Sequence, residues 1–167
     1  MKNIVKKLSL LTLMLGLSTT SYAADETMTV SIKRMKMETA LRIAQGAIKA
    51  CRKEGVQIAV TIVDRSGQTQ VVLRDVLAMD ITLMISKQKA HTAMAFNTAL
   101  SDMEDRFTKP FSVPKIDGLV MSAGGIPINI GGSILGGIGV SGAPSGEVDE
   151  KCAKAGLDAV RDDLEME

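Results

Sequence analysis

The sequence predicts an α+β domain, a five-stranded antiparallel sheet with flanking helices in the order α-β-β-α-β-β-β-α. Three observations lead to it. Residues 37–53 repeat apolar side chains every three or four positions, as an amphipathic helix does. Residues 56–63 alternate apolar and other side chains, which is typical of a strand. Residues 124–142 place two β-rich runs around a Gly-Gly pair, the pattern of a tight hairpin.

The first half of the domain holds a helix, a hairpin and a second helix. The helix over 37–53 is followed by Gly55, a natural stop signal. Strand 56–63 turns at residues 64–67, which end in glycine, and returns as strand 69–74. A second helix is predicted over 80–96, with Asp80 as its N-cap.

The second half holds three strands and a last helix. Residues 119–122 are predicted as the third strand, and the glycine-rich hairpin supplies two more. The dense glycines predict a hairpin with one bare face, against which a ligand, another backbone or another subunit can lie. Ser145 is expected to cap a final helix that runs to about Leu164.

The amino terminus reads as a cleavable secretory signal peptide over residues 1–23. Lys2, Lys6 and Lys7 precede a short apolar run, and Ser21-Tyr22-Ala23 offers small residues for cleavage before Ala24. The alternative is an uncleaved anchor. We expect a short flexible segment over 24–34, a single domain over 35–167, a periplasmic or secreted location, and no membrane span in the mature chain.

Composition narrows the classes of partner. The chain has 20 basic and 19 acidic residues, no tryptophan and three phenylalanines. Such a balance gives no support to nucleic-acid binding, and so few aromatic rings argue against a stacking platform for bases or sugars. Cys51 and Cys152 leave two readings open. They form a bridge between the first and last helices, or they are two separate buried thiols.

Several motifs of catalytic or cofactor-binding sites are absent or lack the neighbouring elements that such sites need. Residues 137–142 match G-x-G-x-x-G, but the chain ends in the helix that follows, without the further strand and acid of a dinucleotide site. There is no P-loop lysine in this region and no G-x-S-x-G elbow. Dinucleotide binding, phosphate cradling by a P-loop and triad hydrolysis are therefore not expected.

Several short pieces of sequence are informative when they are taken together and in order. The pieces are Val63-Asp64 with Gly67, Arg74, Lys89-Ala90-His91-Thr92-Ala93, Gly124-Gly125-Ile126-Pro127-Ile128, Gly136 through Gly142, and Asp149 with Ala153, Ala155 and Gly156. Over about residues 35–164, this combination resembles the GlcG/HbpS/PduO C-terminal family. The resemblance implies a profilin-like fold, with a five-stranded sheet and helices on both faces. It also implies homo-oligomers, often octamers, and haem binding in some members.

The resemblance suggests a set of site residues, each with a second reading. His91, the single histidine, is a candidate haem or metal ligand, or a histidine facing solvent or an oligomer contact. Thr92 could offer an oxygen ligand or bond back to its own helix. Lys89 and Arg74 could pair with haem propionates or form salt bridges. The pocket floor is expected to be shaped by Gly125 and Pro127.

Three functions follow from these readings. The first is an exported haem-binding protein for haem or iron handling or redox sensing, without catalysis. The second is an enzyme or enzyme accessory acting on a small organic acid or corrinoid. The third is a structural oligomer with no ligand. A protein partner that the sequence does not identify is compatible with each.

Overall fold

The computed structural model describes residues 27–107 and 116–167. The chain divides into two units, residues 1–31 and residues 32–167. Within the first unit, residues 27–31 contain no helix or strand. The predicted signal peptide lies outside the described residues. Within the described ranges, no helix is long and apolar enough to cross a membrane.

Two antiparallel hairpins build the sheet of the second unit. The first hairpin is β1 (Ala59–Asp64) with β2 (Thr69–Arg74), and the second is β3 (Gly125–Ile130) with β4 (Ser133–Ser141). Strand β1 also pairs with β4, which gives the order β2-β1-β4-β3. Gly131 and Gly132 connect β3 to β4 with φ of 55° and 79°, the positive values that a tight hairpin turn needs.

Helices α1 (Met37–Lys53) and α3 (Gly146–Asp158) cover one face of the sheet. Their apolar stripes pack on alternate strand residues such as Val60, Ile62 and Ile138, so the main core lies in this layer. The predicted last helix is broken after Asp158, and a short helix, α4 (Arg161–Glu165), follows. Of the two readings for the cysteines, the structure has the bridge, a Cys51–Cys152 disulfide that joins α1 to α3.

Helix α2 (Ile81–Phe96) covers the opposite face. It starts at Asp80, whose side chain accepts a hydrogen bond from the Ile81 N–H at 2.8 Å, as predicted for an N-cap. Thr61, which alternates with the core residues of β1, bonds its hydroxyl to that of Ser86 on α2 at 2.8 Å. A 3-10 helix over Leu100–Phe107 continues this layer.

The expectation of a face open to a ligand or another subunit is wrong, because the backbone that approaches the glycine hairpin is α2 of the same chain. A Cβ added to Gly139 would lie 1.9 Å from the Ser86 carbonyl oxygen, and one added to Gly137 would lie 2.3 Å from that of Ala90. The glycines of β4 therefore bring the backbone of α2 directly onto the sheet.

The predicted third strand over 119–122 is also wrong, and the described residues contain four strands. Three backbone N–H groups in this segment and just after it bond to side chains and not to a neighbouring strand. Val120 donates to the Thr92 hydroxyl at 3.1 Å, Ala123 to Glu104 at 2.8 Å and Gly124 to Glu150 at 3.3 Å. Four residues have the same sequence pattern whether their N–H groups bond to a neighbouring strand or to side chains.

Candidate functional site

His91 lies where α2 passes the turn between β1 and β2. Its Cδ2–Nε2 edge faces Gly67, since a Cβ at Gly67 would approach His91 Cδ2 to 2.8 Å. The other ring nitrogen, Nδ1, is buried and has no hydrogen-bond partner among the described residues. A buried polar atom without a partner is uncommon and calls for an explanation.

A cavity of about 370 Å³ is lined by His91 and neighbouring groups. Met84, Lys87 and Gln88 from α2 line it, together with Gly67 and Gly118 from loops. Helical spacing puts Met84, Gln88 and His91 on one side of α2. Imidazole and thioether groups both ligate haem iron, and an ammonium group can pair with a carboxylate. The donors here therefore fit a haem group better than a hard cation.

Thr92 faces the interior, one position along from His91. Its hydroxyl donates to the Gln88 carbonyl at 2.7 Å and accepts from the Val120 N–H at 3.1 Å. The first bond is the bond back to its own helix that sequence reasoning left open. The second fixes residues 119–121 against α2, so in this structure Thr92 positions a loop beside the cavity.

Lys89 forms a buried ion pair with Asp149 of α3. The Lys89 Nζ lies 3.0 Å from Asp149 Oδ2, and the two side chains are 4% and 5% exposed. Burial raises the pKa of the Asp149 carboxyl, against the opposing effects of Lys89 and of the Ala143 N–H, which donates at 3.0 Å. Lys89 therefore ties α2 to α3 and is not presented to the His91 cavity.

Glu150, the next residue on α3, anchors two further segments. It accepts from the Ser101 hydroxyl at 2.7 Å and the Gly124 N–H at 3.3 Å, and Lys154 lies 3.0 Å away. Burial acts to raise the pKa of Glu150, but these donors outweigh it and the pKa is lowered. Sequence reasoning missed Glu150. It lies just beyond the first turn of α3, where an exposed glutamate would give the same sequence pattern, so no local signal could have found it.

The other predicted site residues lie apart from the His91 cavity. Arg74 ends β2 and donates to the Ala78 carbonyl, in a second cavity beside α1. Gly125 is buried under α2, where an added Cβ would lie 2.7 Å from the Lys89 carbonyl oxygen. Pro127 lines a groove with Asn97 and Leu157. Of the predicted set, the structure brings His91, Lys89 and Thr92 together on α2, and His91 alone lines the cavity.

Comparison with known proteins agrees with this architecture. A family model described as "Haem degrading protein HbpS-like" matches residues 35–158. A solved double mutant of HbpS from Streptomyces reticuli is 34% identical, with a TM-score of 0.76, covering 83% of this chain and 94% of that one. A solved PduOC:haem complex is 25% identical, with a TM-score of 0.69, covering 76% of this chain and 95% of that one.

One curated relative adds sequence similarity. An uncharacterized 15.0 kDa protein from the dhaT-dhaS intergenic region of Citrobacter freundii is 26% identical over 132 residues, 76% of this chain and 92% of that protein. The antiparallel sheet with helices on both faces matches the HbpS-like fold of the solved HbpS structure. The described residues of this chain form four strands, whereas five were predicted. The resemblance drawn from the sequence pieces is thereby confirmed, and the chain belongs to the HbpS-like family, with GlcG, HbpS and the PduO carboxy-terminal domain.

Proposed function

We propose that this chain is an exported haem-binding protein that holds haem in the cavity beside His91, for haem or iron handling or redox sensing. Its likeness to HbpS and to a haem complex of PduOC supports haem as the ligand class. The observation that carries the location is His91, which lines the cavity and whose buried Nδ1 has no hydrogen-bond partner among the described residues. Imidazole is a common ligand of haem iron, so this ring is the group that the cavity offers to the iron.

Each lining group has a role in this proposal. His91 offers an imidazole to the iron, and the Met84 thioether packs on the porphyrin or offers a second soft ligand. Lys87 is placed to pair with a propionate, since Lys89 is already engaged with Asp149 and Arg74 lies in another cavity. Thr92 supports the loop beside the cavity. Bound haem would supply a redox-active iron.

The proposal includes the assembly of homo-oligomers, up to an octamer. Large apolar side chains are exposed on the connection from β2 to α2 and on the start of α2, next to the cavity. Contiguous apolar patches of this kind commonly mark interaction surfaces. The side chains are Val76, Leu77, Met79, Ile81 and Met84.

The first experiment is a haemin titration of the chain from Ala24 to Glu167, followed by absorbance. We expect a saturable shift of the Soret band, at one haem per subunit or per pair. A spectrum identical to that of haemin with a non-binding control protein would contradict haem binding. It would turn attention to a small acid or corrinoid ligand, or to a structural oligomer.

Turnover of bound haem is the second candidate, because the matching family model is described by haem degradation. The same titrated sample distinguishes simple haem binding from haem degradation. Simple binding predicts a Soret band that is stable in air with ascorbate. Degradation predicts loss of that band and release of iron over the same period, at a rate above that of free haemin.

Export is supported by the basic and apolar amino-terminal pattern and by the disulfide, since disulfides persist in oxidising compartments. We expect the full-length chain, expressed in a bacterium, to accumulate outside the cytoplasm. Its intact mass should be that of a chain whose first residue is Ala24. Recovery of the unprocessed chain from the cytoplasm, with reduced cysteines, would contradict export.

A further inference from the structure

A second cavity lies between α1 and the end of β2. Its volume is about 650 Å³, against about 370 Å³ for the cavity beside His91, and the two share no lining residue. Ile48 and Leu73 form the apolar part of its lining. The space suits a small organic molecule, and nothing in the haem proposal uses it.

The charged part of the lining is mostly basic. Lys49, Lys53 and Arg74 surround the cavity, and Arg52 also lines it. Neither Lys49 nor Lys53 has an ion-pair partner within the described part of the chain. Arg74 donates to the Ala78 carbonyl, which leaves its charge uncompensated. Cations gathered at one concave surface attract an anion.

Asp75 supplies a different group to the same cavity. The residue is 4% exposed, and its Oδ1 accepts from Arg52 Nε at 2.9 Å and from Arg52 Nη2. Its other oxygen, Oδ2, is buried and has no hydrogen-bond partner among the described residues. A buried carboxylate oxygen without a donor is costly, and Asp75 lines the cavity, so a ligand bound there can supply the missing hydrogen-bond donor.

We propose that this cavity binds a small organic anion that carries a hydroxyl group beside its carboxylate. The carboxylate pairs with Lys49, Lys53 and Arg74, the hydroxyl donates to Asp75 Oδ2, and the carbon chain lies on Ile48 and Leu73. A 2-hydroxy acid combines these features in a few atoms. The Asp75 contact selects for the hydroxyl, while the lysines select for charge alone.

The test uses L-malate and succinate, which differ by one hydroxyl group, in calorimetric titrations of the haem-free protein. We expect malate to bind about tenfold more tightly than succinate, as one hydrogen bond to a charged group provides. Asp75→Asn is expected to reduce this preference, because it replaces the charged acceptor of the hydroxyl proton with a neutral amide.

A second variant guards against misfolding of Asp75→Asn, which also weakens the contact with Arg52. The double variant Lys49→Gln with Lys53→Gln changes two exposed lysines. We expect it to weaken the binding of both acids by the same factor, so that the ratio of the two affinities is unchanged. Lys151→Gln, an exposed lysine on α3 outside the cavity, should change neither affinity. Equal binding of the two acids by the unaltered protein, absence of binding, or loss of malate binding when haem is added would each overturn the proposal.

Discussion

Loss of the Cys51–Cys152 disulfide is expected to lower the free energy of unfolding by about 4–5 kcal/mol. The bond joins residues 101 apart in the sequence, so it closes a long loop of the unfolded chain. The chain-entropy model assigns its largest gains to loops of this size. Both cysteines are buried where α1 meets α3, so truncation to alanine adds the loss of packed sulfur.

The measurement is urea unfolding of the oxidised protein and of the double variant Cys51→Ala with Cys152→Ala. The matched control is the unaltered protein unfolded in the presence of a reducing agent. Its unfolding midpoint should approach that of the double variant. Equal midpoints for the oxidised protein and the double variant would show that the bridge does not constrain the unfolded chain.

Gly139→Ala is expected to cost about 3 kcal/mol or more, the upper end of overpacking penalties. The new Cβ would lie 1.9 Å from the Ser86 carbonyl oxygen and 2.4 Å from the Ala90 nitrogen. Both are backbone atoms of α2, so no side-chain rotation relieves the clash and the helix must move. Because α2 carries His91, Met84 and Lys87, this shift should also disturb the cavity.

The matched control is Gly55→Ala, at a glycine that has φ of 75° and nothing within 4 Å of an added Cβ. It should cost only about 1–2 kcal/mol, the penalty of a left-handed backbone at a non-glycine residue. Thermal and urea unfolding of both variants compare the two effects. Equal losses would mean that α2 does not press on β4 at Gly139.

Most of the helices and strands could be predicted because their periodicity is local. The apolar repeat of 37–53 and the alternation around Val60 and Ile62 report which side chains face the core. The strand over 119–122 could not be settled in this way. The N–H groups of Val120, Ala123 and Gly124 bond to Thr92, Glu104 and Glu150, and no pattern within four residues identifies partners that distant.

The candidate site was predictable in part for the same reason. His91 stood out as the single histidine, and the glycines of β4 indicated a close approach by some other group. The identity of that group, α2, depends on the tertiary packing. For Lys89 the sequence left open a haem propionate or a salt bridge; the structure has the salt bridge, and its partner Asp149 lies 60 residues further along the chain. Lys87 became a candidate only through the cavity that it shares with His91 and Met84.

The central claim is that His91 anchors haem. The most direct measurement compares the haemin affinity and Soret spectrum of His91→Ala with those of the unaltered protein and of Lys151→Gln. We predict a shifted Soret band and at least about tenfold weaker binding for His91→Ala, since even outer-shell partners of metal ligands contribute that much. Added imidazole should restore the original spectrum, and Lys151→Gln should behave as the unaltered protein does. An unchanged spectrum and affinity in His91→Ala would contradict the claim.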